Sequence, residues 1–72
     1  MYMNSPFWEE RRRKHALKES KKKFDELSDA ISQAYQSFNS VSDPALMESC
    51  ICEINALRSK RDAVLRDIRK LE

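Results

Sequence analysis

Between Asp43 and Leu71 the chain reads DPALMESCICEINALRSKRDAVLRDIRKL. Steps of alternately three and four residues from Met47 land on Cys50, Ile54, Leu57, Arg61, Val64, Ile68 and Leu71, and seven of the eight positions on this line are apolar. That spacing holds side chains on one narrow stripe of an α-helix, the stripe a second helix covers. Ile51 and Leu65 widen it on one side, so the face suits a small bundle better than a strict two-stranded zipper. Helix-to-helix packing is therefore the constraint around which the rest of the chain must be read.

The covering helix is found upstream. No proline or glycine interrupts the chain between Pro6 and Pro44, and Leu17, Phe24, Leu27, Ile31, Ala34 and Phe38 continue on a heptad line with Ser20 interposed. Ser5 can cap the first turn and Pro6 can open it without losing a hydrogen bond. The reading is a helix over about 6–38, with Asn39 closing it in the left-handed conformation. A polar turn over 39–43 follows, and Asp43 caps a second helix that Pro44 opens and that runs over about 44–71. So short a turn forces the helices antiparallel. The expected fold is all-α, one two-helix hairpin with coiled-coil-like packing. Opposed residues should have numbers summing to about 85, which pairs Ile31 with Ile54 and sets Phe24 opposite Arg61. Absent glycine and 36% charged residues agree with long helices.

In that register the second helix reaches back only to about Arg13, so residues 1–12 overhang as an N-terminal arm carrying Phe7 and Trp8. Beside them run Arg11, Arg12, Arg13 and Lys14, with Lys18, Lys21 and Lys22 further along. Residues 1–24 hold eight basic and three acidic side chains, a net of +5, and the remainder holds six basic against nine acidic, a net of −3. Such an asymmetric charge suits an anionic partner: nucleic acid bound weakly and without sequence preference, the surface of an anionic membrane, or an acidic protein. Fraying of the arm and a merely solvated basic face are the competing readings.

Chemistry finds little support. Cys50, Cys52 and His15 are the only soft metal ligands, and the two cysteines lie about 200° apart around a helix, too divergent for a shared metal or a mutual disulfide. No nucleophile-and-base pair or glycine-rich phosphate loop is present. No cofactor, metal or small-molecule substrate is expected, and the chain reads as non-enzymatic. The start lacks the apolar run of a secretion signal, and no stretch approaches the ~20 apolar residues of a membrane span, which together with the unpaired cysteines suggests a cytoplasmic protein. Arg61, the one polar residue of the seam, has three fates: its head snorkels past Phe24, pairs with a carboxylate such as Asp25, or meets a second hairpin whose register it sets.

Across FNSVSDPALMESCICEINALRSKRDAVL the chain resembles the YaaL-like family of small bacterial proteins, the domain of unknown function 2508. Phe38, Asn39, Val41, Asp43, Pro44, Leu46, Ile51, Glu53, Asn55, Ala56 and Leu65 carry the likeness, which spans about half of the chain. The chain departs from the family pattern at Cys52 and Arg61, where aromatic residues are frequent. The resemblance implies a cytosolic helical hairpin without an assigned activity. Seventy-two residues bury little core alone, so the expected function is a protein-interaction module. It would self-associate as a homodimer through Phe24, Leu27, Ile31, Ile54, Leu57 and Val64, with another protein as the other partner expected. The alternative is a nucleic-acid-associated accessory protein using the basic helix, or a membrane-surface contact by the same arm.

Overall fold

A computed structural model describes residues 6–72. Residues 1–5, including the expected cap Ser5, lie outside the described residues. The chain forms two helices, α1 (Pro6–Ser40) and α2 (Pro44–Leu71), with no strand among the described residues. They fold back on one another as an all-α hairpin. The guanidinium of Arg13, near the start of α1, donates to the Leu71 carbonyl at the end of α2 (3.2 Å), which makes the pair antiparallel and places residue 13 level with residue 71.

Local chemistry explains the turn. Asp43 has an extended backbone (φ −73°, ψ 122°), its Oδ1 accepts from the Ala45 amide at 2.9 Å, and its carbonyl accepts from Met47 at 2.9 Å. This satisfies a donor that the first turn would leave orphaned, while Pro44 has none to satisfy. The exit from α1 corrects the expectation. The helix continues two residues past Phe38 to Ser40, the connection shortens to 41–43, and Asn39 is helical, with no positive-φ residue among those described. Ser40 Oγ donates to the Ser37 carbonyl (2.9 Å) and the Val41 amide reaches the Phe38 carbonyl (3.4 Å). Two end carbonyls are thereby satisfied with ordinary backbone angles, and no left-handed closing residue is needed.

The hairpin is a rod of 60 × 15 × 14 Å. Each helix has a neighbour on one side only, so the core is a thin line: Ile31, Ala34, Ile54 and Ile68, each 5–7% exposed. Ile31 and Ile54 are the pair whose numbers sum to 85. Leu17, Phe24, Leu27, Phe38, Met47, Cys50, Leu57, Val64 and Leu65 are half-buried. Ile51, expected in the core, is 46% exposed. It stands about 60° around the helix from Ile54, beyond the arc that one partner helix covers.

Candidate interaction surfaces

Among the described residues three surfaces stand out once the hairpin has formed. The first is the tip of α1. Phe7 and Trp8 meet edge to face, centroids 5.4 Å apart and planes at 80°, and the Arg11 guanidinium lies 5.8 Å from the centroid of the first ring and 5.6 Å from that of the second. Cation and quadrupole attract, so the three side chains form one cluster. It stays open to solvent, with Phe7 61% and Trp8 45% exposed.

Behind the tip, the basic run divides by role. Arg13 turns inward: its Nη2 donates to both carboxylate oxygens of Glu10 at 2.7 Å while Nη1 holds the Leu71 carbonyl. Lys14 approaches the same Glu10 at 3.9 Å. Arg13 therefore clasps the open end of the hairpin, placing a cation at the negative end of the α2 dipole. The hydrogen bond from Arg13, helped by the charges of Arg13 and Lys14, holds the Glu10 carboxyl below its ordinary range, against a smaller upward push from burial. Lys18, Lys21 and Lys22 are exposed and make no ion pair among the described residues. Arg61 is half-buried and pairs with Asp62 (3.8 Å), its neighbour, so the carboxylate it finds is not Asp25.

The second surface is a groove of about 200 Å³ on one flank of the rod, lined by Tyr35, Phe38, Ile51, Ile54, Asn55 and Arg58. Tyr35, Ile51 and, elsewhere on the turn half, Leu46 are large apolar side chains left 44–54% exposed. Ile51 was expected on the buried stripe; the spacing of Ile51, Asn55 and Arg58, four and then three residues, is the signal for a flanking stripe.

The third is electrostatic. Residues 25–57, from mid-α1 through the turn to mid-α2, contain no Lys or Arg and six acidic side chains, a net of −6. All fourteen basic residues and the other six acidic ones lie in 1–24 and 58–72, a net of +8. With residue 13 level with residue 71, the boundaries at Phe24/Asp25 and Leu57/Arg58 fall at nearly the same height, close to the middle of the rod. One end of the molecule is strongly cationic and the turn end strongly anionic.

Cys50 is half-buried, Cys52 is exposed, and neither is in a disulfide. Among the described residues no cluster of His, Cys, Asp and Glu side chains could hold a metal ion, and no helix is long and apolar enough to cross a membrane. Comparison with family models, curated proteins and solved structures finds no match to this chain.

Proposed function

We propose that this protein is a non-enzymatic helical-hairpin interaction module that self-associates through the apolar residues its own two helices leave half-covered. The observation carrying this reading is the exposed area of 5926 Å². A compact monomer of 8.5 kDa would expose about 4,700 Å². The excess is about 1,200 Å² per chain, and two copies hiding it from each other would bury an area in the range of stable homodimers, upward of ~2,000 Å² in total. Phe24, Leu27, Leu57 and Val64 flank the buried Ile31 and Ile54 and are the groups a second hairpin would cover. The resemblance to the YaaL-like family fits a hairpin of this kind, and two unbonded thiols fit the reducing cytoplasm. Light scattering over a concentration series tests the reading: we expect a dimer or a small closed oligomer. A cooperatively folded monomer at about 100 μM would refute it, because a lone hairpin of this size has little core.

A second reading is favoured by the Phe7–Trp8–Arg11 cluster and the unpaired lysines behind it: the cationic end contacts a polyanion, nucleic acid first and an anionic membrane surface second. Phosphate contact predicts binding that weakens steeply with salt and ignores sequence. A mobility shift measured at low and at moderate salt tests it, and absence of binding at low salt removes the nucleic-acid form.

A further inference from the structure

We infer that the second copy lies antiparallel, side by side, with the cationic half of each rod against the anionic half of the other. This rests on the self-association reading and adds the partner's orientation. The charge boundary is the observation that carries it. Because the +8 and −6 halves meet near mid-rod, a two-fold axis crossing the rod at that point overlays unlike halves along the full length.

Each alternative fails either the electrostatic demand or the need to cover the apolar flank. A parallel pair sets +8 beside +8 and −6 beside −6. An end-to-end stack brings unlike ends together but covers only the 15 × 14 Å cross-section, leaving the flanking apolar groups in water. The antiparallel pair satisfies both demands, since the long flank carries the exposed Tyr35 and Ile51 and the half-buried Leu65. Packed helices sit 8–10 Å apart, close to one screening length at physiological salt. The charges on adjoining rods therefore act on one another at working ionic strength. A two-fold pair is also closed, with both copies using the same surface, so growth stops at two.

The full chain carrying Cys50→Ser, Cys52→Ser and Ser42→Cys, spin-labelled at the new thiol in the turn, provides the test. Light scattering on the labelled sample gives the mass, and pulsed electron-spin resonance gives the distance between labels. A dimeric mass with labels separated by nearly the rod's 60 Å length is the expected result. A dimeric mass with labels close together overturns the orientation and leaves self-association standing. A mass that climbs without limit with concentration selects the end-to-end stack and also overturns it. A monomeric mass defeats the underlying reading itself. Lys21→Glu supplies an independent sign: it should weaken an antiparallel dimer, roughly fivefold or more if about 1 kcal/mol of close charge pairing is lost, whereas it would strengthen a parallel one by relieving repulsion between cationic halves.

Discussion

Replacing Ile54 and Ile51 by alanine, separately, distinguishes the core of the hairpin from a surface awaiting a second copy. Each substitution removes three side-chain carbons, worth about 2.4 kcal/mol if fully buried at ~0.8 kcal/mol each. Ile54 is 5% exposed and Ile51 46% exposed in the single hairpin. Scaled by burial, the losses are about 2.3 kcal/mol for Ile54→Ala and about 1.3 kcal/mol for Ile51→Ala. A cavity contribution is small in so thin a rod, because solvent and neighbouring side chains can close over the gap. For a domain of this size 1 kcal/mol moves Tm by roughly 4–8 °C, so Ile54→Ala should melt about 10–18 °C below the parent and Ile51→Ala about 5–10 °C below. Self-association changes the second figure only. Where copies pair, Ile51 becomes buried, its loss approaches that of Ile54, and the gap between the variants narrows as concentration rises. Far-ultraviolet circular dichroism melts across a roughly hundredfold range of concentration, read beside light scattering, give both quantities. A fixed gap between the variants, with Tm independent of concentration, would refute the idea that this flank is covered by another chain. A loss at Ile54 as small as that at a surface site would refute the placement of the core.

Four further outcomes follow from the same geometry. Asp43→Ala removes the cap on α2 and should cost about 0.5–2 kcal/mol, seen as a lower Tm, while Asp43→Ser should recover most of it. The Glu10 carboxyl is held below its ordinary value of 4.5 chiefly by Arg13, so its stabilising effect is present above that value and is lost as pH falls through the lowered one; in an NMR titration, Arg13→Ala should return its midpoint toward 4.5. Mild oxidation should link chains through the exposed Cys52 and not join Cys50 to Cys52, so on a non-reducing gel Cys52→Ser abolishes the linked dimer and Cys50→Ser spares it. Arg61→Leu should raise Tm, because the pair it breaks with Asp62 is long and partly exposed; a lower Tm would mean that the stem of Arg61 packs better than leucine can.

The hairpin was legible because its signals are local and redundant. Pro6, Asp43 and Pro44 act within a residue or two of where they stand, and the heptad line from Met47 to Leu71 needs only the geometry of one helix. The end of α1 was misread because two compatible chemistries compete there. Asn39 could have closed the helix left-handed, but Ser40 holds the Ser37 carbonyl and the helix runs on. Ile51 was misread because a heptad plus its flank describes a helix with several neighbours, and α2 has one. Arg13 looked like any member of a basic run, since nothing in RRRK distinguishes the residue that will meet the far end of α2. That assignment depends on a contact across fifty-eight positions, which spacing within one helix cannot supply.

The charge pattern has the same origin and the larger consequence. Divided at residue 24 along the linear chain, the halves carry +5 and −3 and suggest only a basic arm. Folding at Asp43 brings residues 58–72, with six basic and three acidic side chains, alongside the basic start of α1, and the contrast grows to +8 against −6. A cationic half of that density repels itself, and the thin apolar seam offers little to offset it. An anionic neighbour would relieve that repulsion, and in the proposed pair the turn half of the second copy supplies it. A polyanion would draw on some of the same cations. In the proposed pair the flank where Lys21 stands is taken up, while Arg11 and Lys18, seven apart on the outer side of α1, stay accessible. Pairing and polyanion contact can therefore coexist through the outer face but compete on the flank. Which of the two faces a polyanion uses decides whether it would leave the pair in place or dissolve it.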